Sequence, residues 1–278
     1  RLLERLREYL FVGGMPEVTR EFLESGSLAG VQDVQRSIVE TYQDDFAKYA
    51  RREALIRLQR VFQQIPANSG RKIKYVNLSR EELSRDLKAS VELLVRAQVC
   101  HKVTRSHCSG IPLAAGADHN SFKLISMDVG IMNFMGGGRW KSISRATGQA
   151  LVNEGALAEQ FVGQHLAFMD PGKSDLHYWL REGKSENAEV DYVIAAGSAI
   201  LPIEVKSGTS GTLKSLHQFC LEKACPAALR FDLNQPSRQR IQARARLGRD
   251  VEEVRFDLLS LPLYAVEHAN TVAIGGDQ

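Results

Sequence analysis

Two apolar segments, AEVDYVIAA at 188–196 and AILPIEVKSG at 199–208, are separated only by Gly197 and Ser198. Their β-branched residues and Gly/Ser punctuation read as two strands joined by a short turn. Embedded in them are Glu189, Asp191, Glu204 and Lys206. An unpaired carboxylate in a buried strand is costly, so such groups are normally paired or coordinate a metal. Side chains alternate faces along a strand. Glu204 and Lys206 therefore share one face, and Glu189 shares a face with Asp191. Antiparallel pairing across the turn could bring Asp191 near Glu204, although the spacing leaves the register open. Two close carboxylates repel each other when both are ionised. Mg2+ or Mn2+, which prefer oxygen ligands, would relieve that repulsion. Lys206 could then steady an attacking water or a developing oxyanion.

A third acid is expected from upstream. NEGALAEQFVGQHLAFM (153–169) reads as an amphipathic helix, with Leu157, Phe161, Leu166 and Phe168 as its apolar positions and Glu159 close to that stripe. A strand over 176–180 comes next, then the two strands above, a helix over 212–224 and a strand over 227–233. The expected order is α-β-β-β-α-β.

That order and those residues resemble the PD-(D/E)XK nuclease superfamily. The resemblance implies metal-dependent hydrolysis of DNA phosphodiesters. Asp191, Glu204 and Lys206 would be catalytic, and Glu159, Asp191 and Glu204 would hold Mg2+ or Mn2+. Glu189-Val190-Asp191 departs from the Pro-Asp of the superfamily's name. Gln218 falls on the following helix, where many members carry an auxiliary polar residue, and Glu189 is a second auxiliary position. The bland alternative is a surface ion pair between Glu204 and Lys206, worth about 1 kcal/mol or less.

The N-terminal half reads as mostly helical. A helix ends near residue 11, Gly13-Gly14-Met15-Pro16 breaks it, and Pro16 opens the next. Helices are expected over 17–25, 28–51, 54–66 (stopped by Pro66) and 80–100, the last with Leu83, Leu87, Val91, Leu94 and Val95 on one face. Strands over 98–106 and 122–132 follow. Helices and then a two-stranded ribbon resemble a winged helix. The expected domains are a helical segment (1–53), a winged-helix-like domain (54–140) and a nuclease-like α/β domain (145–278).

The segments YLFVGGMPEV, YQDDFAKYA, VFQQIP, FKLISMDVGIM, GALAEQFV, AEVDYVI and PIEVKSG occur here in that order. Over residues 8–210 the series resembles the uncharacterised C-terminal region that follows AAA-type ATPase modules in bacterial and archaeal proteins. This resemblance implies an upstream ATPase module as partner. It leaves a second functional reading open: a non-catalytic regulatory extension, with a vestigial nuclease fold, that binds nucleic acid or protein. The chain starts at Arg1, inside what reads as a helix, so a fragment of a longer protein is expected. Gly-Lys-Ser occurs at 172–174 and 183–185, but Ala167 and Tyr178 stand where a phosphate loop needs its first glycine. ATP is therefore expected only through the upstream module, and this chain has no nucleotide cofactor site of its own.

A net charge of +3 does not demand a nucleic-acid partner. The run RQRIQARARLGR (238–249) contains no acid, and Arg240, Arg244 and Arg246 could meet phosphates there. Its bland alternative is a solvated helix face. Cys100, Cys108, Cys220 and Cys225 have no CxxC spacing, and the Cys100-His101 and His107-Cys108 pairs do not match a standard zinc site. Buried or surface thiols in a reducing cytoplasm are expected. No apolar run reaches the roughly 18 residues of a membrane span.

Overall fold

The computed structural model describes residues 1–138, 154–169, 176–182, 187–208, 211–247 and 250–269. Both Gly-Lys-Ser triplets lie outside the described residues. The chain divides into two compact units. One comprises Arg1–Lys102 and Asn120–Gln164, the other Val103–His119 and His165–Gln278.

The first unit opens with α1 (Leu2–Val12), α2 (Pro16–Ser25), α3 (Leu28–Tyr49) and α4 (Glu53–Asn68). Gly13, at φ 80°, ends α1 in a conformation that L side chains rarely adopt. Asp128 fastens this turn by accepting from the Gly14 N–H at 2.7 Å. Pro66 does not stop α4, which runs two residues further. There the Asn68 side chain donates to the Gln64 carbonyl at 2.9 Å and closes the last turn.

The chain then continues through β1 (Ile73–Lys74), α5 (Tyr75–Leu78), α6 (Ser84–Arg96), β2 (Cys100–Ser106) and β3 (Ala117–Ser126). The helix expected over 80–100 is shorter, and Leu83 precedes it with 65% of its surface exposed. β1 pairs antiparallel with β3, placing Ile73 opposite Phe122. Phe46, Leu58, Phe62, Leu87, Val91, Leu94 and Phe122 share one core. The strand expected over 122–132 splits: β3 ends at Ser126 and α7 (Val129–Met135) follows. The cause is Asp128, whose carboxylate caps α7 by accepting from the Ile131 N–H at 2.9 Å.

Helix α8 (Glu154–Phe168) buries Leu157, Phe161 and Leu166 as expected, but Phe168 is 52% exposed. Gln160 of α8 is fully buried, and its amide makes two 2.8 Å bonds with the Ser126 backbone, one to N–H and one to C=O.

The second unit is built on β4 (His177–Arg181), β5 (Ala188–Ala196), β6 (Ala199–Val205), α9 (Lys214–Lys223), β7 (Ala227–Asp232), β8 (Ser237–Leu247) and β9 (Asp250–Pro262). Its strands follow the order β2-β4-β5-β6-β7-β9-β8 in a mixed sheet. β5 and β6 form the expected hairpin, turning at Gly197 with φ 60°. β6, β7 and β9 run parallel to one another, with α9 as the crossover between β6 and β7. Trp179, Val190, Leu216, Phe219, Ala228, Phe256 and Leu258 form the core under α9. Trp179 and Phe219 meet edge-on at 5.2 Å.

The arginine-rich run is a strand, not a helix face. β8 pairs along its length with β9, and Ile241 and Ala243 pack toward the core while the arginines on either side of them stay exposed. Among the described residues no helix is long and apolar enough to cross a membrane.

Candidate functional site

The site is set by the carboxyl ends of two parallel strands. Crevices beyond such ends are where open α/β sheets place ligands. On β6 and β7 the register puts Glu204 beside Arg230 and Val205 beside Phe231. Glu204 is 5% exposed. Lys206, just past the end of β6, reaches back so that its Nζ lies 2.5 Å from Glu204 Oε1. Alternation along the strand makes this possible, because residues two apart share a face.

Asp191 comes from the neighbouring antiparallel strand. The last pair of the β5–β6 ladder is Tyr192 with Ile203, and one further step points Asp191 toward Glu204. There the Asp191 Oδ2 accepts from the Val205 N–H at 2.8 Å, taking the place of a strand partner. Asp191, Glu204 and Lys206 are thus brought together. Arg230 and Asp232 extend the cluster along β7: Arg230 Nε lies 2.9 Å from Asp232 Oδ2. Asp232 is 2% exposed and also accepts from the Asn234 N–H at 2.8 Å. Charges of alternating sign keep each buried carboxylate compensated, which burial requires. The loop before α9 packs on the Lys206 stem, so closely that a Cβ on Gly211 would sit 2.8 Å from its Cδ.

Arg230 and Asp232 were not picked out from the sequence. The signal was present: AALRFDL carries two charged residues at a spacing of two inside an apolar strand, the same pattern as Glu204 and Lys206.

The other expected site residues fall elsewhere. Glu159 lies in the first unit, where its Oε1 is 2.6 Å from the Nζ of Lys123, a lysine with no exposed side-chain surface. Among the described residues no group of three or more His, Cys, Asp or Glu is placed to hold a metal ion. Within the first unit Lys123 is the partner of the helix acid. Glu189 is half-buried on β5 and anchors α9 through its backbone, donating to Ser215 Oγ at 3.4 Å. Gln218 is 6% exposed and donates to the Arg246 carbonyl at 2.7 Å and to Glu222 at 2.8 Å, which ties α9 to β8. Arg240 is bound by Asp257 at 2.8 Å. Arg244 and Arg246 instead line a cavity of about 430 Å3.

All four cysteines are buried and free. Burial pushes the Cys100 thiol up to about 12 and those of Cys108 and Cys225 up to about 11. Their packing gives them the buried-thiol role.

Residues 3–142 match the family described as domain of unknown function DUF8612. Residues 154–243 match a second, domain of unknown function DUF4143. The second match contains Glu159, Asp191, Glu204, Lys206 and Arg230 and ends within β8. No curated protein and no solved structure matches the chain.

Proposed function

We propose that this chain, which belongs to the family of the domain of unknown function DUF8612, carries in its second unit a nuclease-like site that acts on nucleic-acid phosphodiesters. One observation carries the reading. A buried Glu204 shares a strand face with Lys206, next to Asp191 on the adjoining antiparallel strand. The chain order α8-β4-β5-β6-α9-β7 around it supports a PD-(D/E)XK-like domain.

The donor set fits a hard divalent ion held by two carboxylates. Mg2+ commonly takes one or two carboxylates, with water and substrate phosphates completing its octahedron. Asp191 and Glu204 would hold it through their carboxylates. When bound, such an ion polarises a phosphoryl oxygen and lowers the pKa of its water. Lys206 would orient an attacking water or stabilise the negative charge that develops on the phosphoryl oxygens. Arg230, next to Glu204 in the register, balances the buried negative charge.

The test is cleavage of single- and double-stranded DNA with Mg2+ and Mn2+. Wild type should nick or digest, and Lys206→Ala and Glu204→Gln should lose at least about a hundredfold in rate, the scale of a catalytic general acid-base or electrostatic group. Equal cleavage by wild type and both variants, or no cleavage by any, rejects the reading.

A second reading has its own support in the first unit. The order α4-β1-α5-α6-β2-β3, with β1 paired to β3, supports a winged-helix-like reading. On this reading the chain is a docking extension of an AAA-type ATPase in the cytoplasm, and its second unit is a binding module for nucleic acid or protein. Fold alone does not choose between the two.

A further inference from the structure

The cavity of about 430 Å3 in the second unit is lined by Arg181, Lys214, His217, Arg244 and Arg246, with Ser215 and Gln218 among its remaining residues. Among the described residues no aspartate or glutamate lines it. Two acids stand next to these cations: Glu222 pairs with Arg181 at 3.2 Å, and Glu253, opposite Arg244 in the β8–β9 ladder, pairs with Arg255 at 3.0 Å, which leaves the lining with more cations than the acids beside it. Lys214 and Ser215 are the first two residues of α9, whose N-terminus carries no side-chain cap. Ser215 Oγ already accepts from the Glu189 N–H, so its own hydroxyl proton is available to donate. Burial lowers the pKa of His217, so at neutral pH it serves as a neutral hydrogen-bonding group.

We propose that this cavity binds a phosphate group, the chemistry common to a nucleic-acid strand and free phosphate. Arg244 and Arg246 supply forked donors, Arg181 a third guanidinium shared with Glu222, Lys214 a point charge, and α9 an N-terminal partial positive charge. Gln218 stiffens the arrangement by holding the Arg246 carbonyl at 2.7 Å, fixing β8 against α9. The proposal does not depend on catalysis at Glu204 and Lys206, since binding is read without cleavage.

The experiment titrates the full chain with two probes, inorganic phosphate by calorimetry and a fluorescent single-stranded 12-mer by anisotropy, both without divalent metal. Wild type is compared with Lys214→Ala/Arg244→Ala, with the charge-conserving Lys214→Arg/Arg244→Lys, and with Arg240→Ala outside the cavity. The alanine pair should weaken binding at least about tenfold at low salt, and it should reduce the slope of log affinity against log salt by about 0.7 per lost contact on a single strand. The charge-conserving pair should retain binding, which separates loss of charge from loss of fold. Arg240→Ala should change affinity less than about twofold, because Asp257 holds that arginine. Loss of phosphate binding alone assigns the cavity to free phosphate, and loss of 12-mer binding assigns it to a strand. Absence of binding by wild type to either probe overturns the proposal. So does equal affinity of the wild type and the alanine pair, or failure of the charge-conserving pair to bind while it melts like wild type.

Discussion

Lys206 places its ammonium 2.5 Å from the carboxylate of Glu204, a residue only 5% exposed at the end of a strand that is parallel to its neighbour. The two groups are positioned by the strand itself, since residues two apart share a face. The pair is therefore not a chance surface contact of the kind worth a few tenths of a kcal/mol. Removing the lysine would leave a buried carboxylate partly uncompensated, and removing the acid would free the lysine to swing. Asp191, held on the neighbouring strand by the Val205 N–H, adds a second carboxylate and sharpens the first effect.

Divalent binding without nucleic acid should be weak and should require both strand acids. Calorimetry should show Mn2+ heat for wild type that disappears in Asp191→Asn and in Glu204→Gln. Glu159→Gln should leave it unchanged, because Lys123 engages that carboxylate. Identical heats for wild type and Asp191→Asn would remove the metal from the mechanism.

Lys123 and Glu159 should matter for stability. Breaking a buried ion pair by removing one partner costs about 3–5 kcal/mol, because the remaining charge stays buried. Urea unfolding of Lys123→Met should show a loss of that order. The double variant Lys123→Met/Glu159→Leu should recover a substantial part of it. A loss below about 1 kcal/mol in the single variant would mean that the pair is effectively solvated.

The hairpin of β5 and β6 was legible in the sequence because apolar alternation, a Gly-Ser turn and β-branched residues all agree there. The same alternation was present in 238–247 but was masked by arginine. Arg238, Arg240, Arg244 and Arg246 fall at even positions, with Ile241, Ala243 and Ala245 between them, which is a strand pattern. The acids that follow are cross-strand partners: Asp257 lies opposite Arg240 and Glu253 opposite Arg244. Glu159 was read correctly as a helix acid near the buried stripe, but its partner could not be read. Lys123 is distant in sequence, inside an apolar strand, and only tertiary packing brings them together. Asp128 ended a strand that looked continuous because a capping carboxylate outweighs the β-propensity of Val129 and Ile131.

Stability should fall on mild acidification. Burial lowers the pKa of His101 and of His217 below the ordinary histidine value of 6.5. Protons therefore bind the unfolded chain more tightly, and the stabilisation is complete above about 6.5 and is lost as pH falls toward the folded-state values. The carboxylates with lowered values, Glu253 and Asp257, act below about pH 4 and stay out of this window. The melting temperature should be lower at pH 5.5 than at pH 7.5, and the difference should shrink in His101→Gln/His217→Gln. A melting temperature that is flat or rising on acidification would contradict the assignment.

Two glycine-to-alanine changes should act with opposite sign. Gly130 lies in α7 where the end of α1 approaches it, and a Cβ there would stand 2.4 Å from the Val12 carbonyl oxygen and 2.6 Å from the Gly13 nitrogen. Both obstacles are backbone, so relief requires one helix to move, and overpacking of this kind costs about 1–3 kcal/mol or more. Gly155 lies in α8, and a Cβ there would meet nothing within 4 Å. Alanine at that position lowers the entropy of the unfolded chain and suits the helix, a gain of about 0.5–1 kcal/mol. Thermal unfolding should therefore move down for Gly130→Ala and up for Gly155→Ala. If Gly130→Ala is neutral, the close approach of α7 to the end of α1 is looser than the structure has it, and the bond from Asp128 to the Gly14 N–H should be the first to lengthen.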